Sequence, residues 1–277
     1  SLNSMLDAAA RGGTVEVEDG WTQGRAIYGG LTGALLLAAI KGRLRGSSGD
    51  DPRGSAPHPL RSMTVSFIGP ATTGAVEIDA EVLRVGSNVV QCQAPLRQGG
   101  ELVATALAAF GRHRESSISV TPTHPMPGMP AAESIEAFPY IEGLTPEFYR
   151  FVELRQVGGS VPFSGAGSSG LSGWSALREP PEEFHEEHLV VLADAWPPAT
   201  IQMLSGFAPA SSLTWTLELV AEIGPDTVPA GAVLAYEATT DAARDGYAHT
   251  HAMMWHPDGS LMAISRQTIT VFGEAGG

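Results

Sequence analysis

The chain sets out one pattern twice, and this repetition restricts its fold more than any other feature. In the first half a short alternating stretch at 14–18 precedes an apolar run rich in small residues, YGGLTGALLLAAIKGRLR at 28–45. After a loop of Gly, Ser, Asp and Pro at 46–59 come LRSMTVSFI, AVEIDAEVLRV, NVVQCQAPLR and ELVATALAAF, which read as four strands bounded by turn formers. In the second half LSGWSALRE leads into a helix expected over about 181–195. SLTWTLELVAE, VLAYEATTDAA, YAHTHAMMW and LMAISRQTITVF then follow. The correspondence extends to letters: TVSFI at 64–68 answers TLELV at 216–220, an offset of 216 − 64 = 152, and ELVA at 101–104 answers SLMA at 260–263.

Each half is therefore one strand, one buried helix and four antiparallel strands. A helix that is apolar nearly all round needs cover on most sides. A five-stranded sheet curled around it supplies that cover, and Gly29, Gly30, Gly33 and Ala34 permit close approach. The expectation is an α+β fold of two modules, 1–112 and 166–277, joined by a linker at 113–165, with edge strands paired into one sheet. The 277 residues suffice for two such modules, and 43% hydrophobic with 17% charged residues is a globular composition. No apolar run is long enough to span a membrane and the N-terminus lacks a secretory pattern, so a cytoplasmic protein is expected. A single cysteine, Cys92, excludes an internal disulfide framework and a cysteine metal cluster.

The net charge of −14 argues against nucleic acid and anionic membranes as partners. Cations instead crowd the first quarter: Arg25, Lys41 (the only lysine), Arg43, Arg45, Arg53 and Arg61. Such a run forms a solvated face or supplies donors for phosphates on a ligand. Arg43, Arg45 and Arg61 are the candidates for the second role.

In HEEHLVVLADAWPP at 185–198, one acid, Asp194, follows five apolar residues and precedes a Pro-Pro pair. Pro180-Pro181 and Glu182-Glu183 suit a helix start, and Pro197 ends the helix near Ala195. Asp194 then lies in the last turn, where the dipole disfavours an anion, beside a continuously apolar run. A buried carboxylate needs a partner or a task, and both burial and dipole push its pKa up, as suits a general base.

The element order, the Gly29-Gly30 opening of the first helix and the closing LMAISRQTITVF resemble the acyl-CoA thioesterase II-like group of the hotdog superfamily, where two hotdog modules are fused in one chain. The likeness runs from about residue 14 to 272 and is weakest across 113–175. It implies hydrolysis of fatty or related acyl-CoA without metal or cofactor, and self-association into a homo-oligomer. It also implies an Asp, a Gln and a hydroxyl residue that together activate water. The Asp falls on Asp194 and the Gln on Gln267. The hydroxyl falls on Ser212 or, two residues on and on the same side of a regular strand, Thr214; Thr216 is a third choice. Backbone N–H groups of Gly29 and Gly30, at a positive helix end, are candidates for the oxyanion. The first module has Ala108 where the second has Gln267 and no acid near 38–40, which implies one site per chain. Two other readings stay open: a non-catalytic acyl-CoA binder, and a hydratase or dehydratase, which wants an Asp/His pair although His188 is six residues back from Asp194.

Other signals carry less. Gly165, Gly167 and Gly170 spell G-x-G-x-x-G without a preceding strand or following helix, so a flexible loop is expected. His249 and His251 share a strand face, with His256 close, but lack a third ligand at the expected spacing. His185, Glu186, Glu187 and His188 read as a solvated face. No serine sits in a G-x-S-x-G elbow.

Overall fold

The structure, a computed structural model, describes residues 1–47 and 58–272, so Arg53 lies outside the described residues. In chain order the elements are α1 (Leu2–Arg11), β1 (Gly13–Val17), β2 (Thr22–Gln23), β3 (Ala26–Ile27), α2 (Gly29–Ser47), β4 (Leu60–Phe67), β5 (Gly74–Ile78), β6 (Glu81–Val85), β7 (Val89–Gln98) and β8 (Glu101–Gly111). The second half adds β9 (Val152–Gly158), β10 (Leu171–Leu177), α3 (Glu186–Ala193), β11 (Ala210–Leu219), β12 (Leu234–Arg244), β13 (Tyr247–Trp255) and β14 (Leu261–Val271).

All but β2 and β3 join one 12-stranded sheet, ordered β1-β5-β7-β8-β4-β11-β14-β13-β12-β10-β9, with β6 paired to β7. This is a tandem double hotdog, one antiparallel half-sheet around each of α2 and α3. The helices are the cores of their modules: Leu31, Ala34–Ile40 and Leu189–Ala193 are all buried. Close packing depends on missing side chains. A Cβ at Gly33 would stand 2.9 Å from the Trp215 ring and 3.0 Å from Val190, and one at Gly42 would overlap the carbonyl of Ala10, where α1 crosses α2.

The modules meet at β4 and β11, antiparallel, with Thr64 opposite Thr216, Val65 opposite Trp215 and Met63 opposite Leu217. Thr64 and Thr216 are the residues matched by the sequence repeat. A residue opposite its own counterpart marks a local twofold axis, and the two hydroxyls hydrogen-bond across it at 3.0 Å. The repeat therefore sets the register of the join.

Several local expectations change. AVEIDAEVLRV is two strands: β5 pairs with β1 and β7, while β6 pairs with β7 alone. The expected linker contains β9, which pairs with β10. Upstream of β9 the chain straps the sheet: Trp174 Nε1 donates to the Pro130 carbonyl at 3.0 Å, and Arg155 donates to the carbonyls of Ala132 and Ile135. α3 begins at Glu186 rather than near 181, because His185 is extended and caps it. Its first turn is not a solvated face. Glu186, Glu187 and His188 are buried, and Lys41 from α2 reaches Glu186 at 3.1 Å and Glu187 at 2.7 Å. Burial alone would raise the Glu187 pKa, but the Lys41 charge and the hydrogen bonds to the carboxylate together outweigh it and hold the carboxyl below its ordinary range. Burial pushes His188 down to about 4, so it is neutral; its Nδ1 accepts from the His185 N–H and its Nε2 meets Asn3 Oδ1 at 3.0 Å. Among the described residues no helix is long and apolar enough to cross a membrane.

Candidate active site

Asp194 is the residue that ends α3, with φ −105° and ψ 2°. The C-terminus of α3 points at the N-terminus of α2, so the carboxylate leaves one unfavourable helix end and meets a favourable one. The Gly30 N–H hydrogen-bonds to it, and its Oδ2 stands where Gly29 has no side chain: a Cβ there would be 2.6 Å away. The double glycine is thus a cradle for the acid of the other module. The Gly30 N–H, one of the expected oxyanion donors, is also the backbone group that pulls the Asp194 pKa down.

Gln267, in β14, donates from Nε2 to Asp194 Oδ1 at 2.7 Å, and its Oε1 accepts from Ser212 Oγ at 3.1 Å. A carboxylate only accepts, so the amide must turn its NH2 to Asp194, which leaves its oxygen for a hydroxyl. Burial raises the Asp194 pKa from 3.8 to about 7, against the opposing pull of Gln267 and Gly30. Tyr28 and Tyr236 stand close enough that the Asp194 charge adds to burial in raising their own pKa values.

Ser212, not Thr214, joins this group. In β11 Ser212 faces Ile269 while Thr214 faces Thr268, two steps against one, so a β-bulge lies at Leu213. The extra residue reverses the side-chain alternation and defeats the expectation that Ser212 and Thr214 share a side. Ser212 turns toward Gln267, and Thr214 is exposed in the same outward row as Thr216, which bonds to Thr64.

These groups open onto a cavity of about 400 Å³ built from both modules. Ile27, Gly29, Thr32, Phe67 and Ala71 come from the first; Asp194, Trp196, Ser212, Leu213, Gln267 and Phe272 come from the second. Among the described residues, Asp194 is the only charged one in its wall. A thioester-sized ligand placed here would meet Asp194, the amide of Gln267 and the hydroxyl of Ser212, with Gln23, Thr32, Ser211 and Thr270 as further polar groups among apolar side chains.

The profile of the acyl-CoA thioesterase N-terminal domain matches residues 17–111, and that of the acyl-CoA thioesterase C-terminal domain matches residues 126–271. The chain belongs to the acyl-CoA thioesterase family, a family of thioester hydrolases. Its fold is similar to that of a hot-dog-fold protein from Alicyclobacillus acidocaldarius, at 22% identity over 98% of each chain with TM-score 0.81. It is also similar to an acyl-CoA thioesterase II from Mycobacterium marinum, at 19% identity over 100% of each chain with TM-score 0.71. A 12:0-ACP thioesterase from Umbellularia californica is more distant, at 12% identity over 93% of this chain and 92% of that one, with TM-score 0.50. Comparison with curated protein sequences returned no match.

In this thioesterase-family chain the expected phosphate contacts lie away from the cavity wall. Arg43 and Arg45 occupy the last turns of α2, about 20 Å along the axis from Gly29 at 1.5 Å per residue. Arg61 opens β4 and donates to the Gly111 carbonyl at 3.0 Å, whereas the cavity is reached by the other end of that strand, at Phe67. Lys41 is committed to Glu186 and Glu187. On the outward row of β13, His251 pairs with Asp241 at 2.7 Å and His249 meets Thr268 at 3.3 Å. Sequence reasoning missed Thr32 and Trp196 as wall residues. Their signal was proximity, since Thr32 is one helical turn from Gly29 and Trp196 two residues from Asp194.

Proposed function

We propose that this chain hydrolyses acyl-CoA to the free acid and CoA, with Asp194 as general base. The observation that carries this reading is the hydrogen-bonded series Ser212–Gln267–Asp194, ending on a carboxyl raised to about 7 in a cavity between the modules. A base poised near the working pH takes a proton from water and can return it later. Water held between Asp194, Gln267 and Ser212 attacks the thioester carbonyl carbon as Asp194 takes its proton. The tetrahedral oxyanion collapses, the C–S bond breaks, and the proton passes from Asp194 to the departing CoA sulfur. With Gly30 occupied by the carboxylate, the oxyanion is assigned to the Gly29 N–H and the positive end of α2.

No histidine lines the cavity among the described residues, and His188 is held by Asn3 and His185. That arrangement disfavours a hydratase built on an Asp/His pair. A non-catalytic acyl-CoA binder has one observation in its favour: Asp194, Gln267 and Ser212 satisfy one another without substrate. Assaying release of free CoA from short-, medium- and long-chain acyl-CoAs separates the readings. Turnover by wild type that is lost in Asp194→Asn and Gln267→Ala supports hydrolysis. Binding without turnover supports the binder, and undiminished turnover by both variants overturns the site.

A further inference from the structure

A CoA thioester carries its phosphates far from the reacting carbonyl, and among the described residues the one charged group in the cavity wall is an acid, Asp194. The phosphate end must therefore stay at the rim of a protein whose net charge of −14 repels it. A local donor at that rim decides whether the charged end is held or merely tolerated.

The β2–β3 hairpin provides one. Thr22 pairs with Ile27 and Gln23 with Ala26, leaving Gly24-Arg25 as a two-residue loop. Gly24 has φ +63°, a conformation suited to glycine at the first loop position. The hairpin is tied to the cavity wall: Ile27 N–H donates to the Ala71 carbonyl at 2.7 Å, and Tyr28 N–H to the Trp21 carbonyl at 2.9 Å. Trp21 in turn stacks on Phe151 with centroids 4.3 Å apart. Gln23, Ala26 and Ile27 all line the cavity, and Arg25 is exposed between them. Arg61, Arg155 and Arg178 spend their donors on backbone carbonyls and acids. Among the described residues, the Arg25 guanidinium has no hydrogen-bond or ion-pair partner. A planar fork of donors on a fixed turn is suited to phosphate oxygens.

We propose that Arg25 receives the phosphate end of the CoA substrate at the cavity mouth, and so makes the protein select CoA thioesters over thioesters without phosphates. This inference rests on the reading of the cavity as an acyl-CoA site. The test compares one acyl group carried on CoA and on N-acetylcysteamine, together with calorimetric binding of free CoA, in wild type, Arg25→Gln and Arg25→Lys. Melting curves first establish that the exposed substitutions leave the fold intact. In Arg25→Gln, KM for the CoA thioester and Kd for CoA should rise about tenfold, the size of one lost charge-assisted hydrogen bond. The kcat and the KM for the N-acetylcysteamine thioester should hold. Arg25→Lys should fall between, and added salt should shrink the difference. Unchanged KM and Kd, or equal losses on both thioesters, overturn the assignment. If wild type hydrolyses neither thioester, the proposed hydrolysis fails, while the CoA Kd still decides the role of Arg25.

Discussion

At the scale of single residues, the proposed chemistry turns on how one carboxyl is held. Burial raises the Asp194 pKa to about 7, and Gln267 and the Gly30 N–H pull against that rise. On the proposed hydrolysis, with Asp194 as the free enzyme's base, kcat/KM should rise with pH and level off above about 7. Asp194→Asn should cut kcat about a hundredfold or more, the usual share of a general base, and remove that rise. Stability should move the other way. A carboxyl whose folded pKa exceeds its unfolded value costs the fold stability as pH climbs through that window, from 3.8 to about 7. The stability of Asp194→Asn relative to wild type should therefore improve toward pH 8 and worsen toward pH 4, as read from urea midpoints. The bulge at Leu213 sets up a second contrast. Ser212→Ala should lower kcat about tenfold by freeing the Gln267 carbonyl and loosening the water, while Thr214→Ala, on the outer row, should leave kcat unchanged.

At the scale of elements, the site exists because the start of one helix accepts the end of another. Alanine ordinarily favours a helix over glycine by about 1 kcal/mol. At Gly29 the added methyl would instead stand 2.6 Å from Asp194 Oδ2 and 3.2 Å from the Phe67 ring. Gly29→Ala should thus keep the helical circular dichroism signal but lose most activity, because the carboxylate must move to make room. The double glycine was legible in the sequence as a close approach, though not what approached it. That Asp194 needed a partner was equally legible from its apolar run. The partner at Gly30 was not, since no local pattern says that the two helices meet end to end. Gln267 was placed by the family resemblance of the closing strand, and its counterpart in the repeat, Ala108, implied one site per chain. Ser212 could not be separated from Thr214, because a bulge is one extra residue in a ladder and leaves the strand's composition unchanged. The buried start of α3 was misread for a related reason: two glutamates and a histidine look solvent-facing until Lys41, more than a hundred residues away, is set among them.

At the scale of the whole molecule, a nearly twofold scaffold has been used asymmetrically. Thr64 and Thr216 sit on the axis of the join, so whatever α2 and α3 form at one pole has a geometric counterpart at the other. Where α2 begins and α3 ends, the pole holds Asp194 and the cavity. Where α3 begins, it is closed by Lys41 against Glu186 and Glu187, and Glu186 also accepts from the Leu60 N–H at the start of β4 at 2.7 Å. The clamp ties the helices of both modules and the first strand of the join, so it sustains the interface from which the cavity is built. Lys41→Met keeps the length of the side chain and removes its charge, leaving two buried carboxylates without their cation. Breaking a buried pair in this way costs about 3–5 kcal/mol. The sign of its pH dependence follows from the pair. Glu187 is held below its unfolded value, so its contribution is complete above that value and is lost as pH falls through the folded pKa; Lys41 is raised, so its contribution persists until strongly alkaline pH. Urea midpoints of Lys41→Met and wild type should accordingly differ by a constant amount from about pH 6 to 9 and converge in acid, where Glu187 protonates. A deficit that stays the same down to pH 3 would show that Lys41 acts through packing rather than charge. A deficit seen only in activity, with midpoints unchanged, would remove the clamp from the account of how the modules are joined.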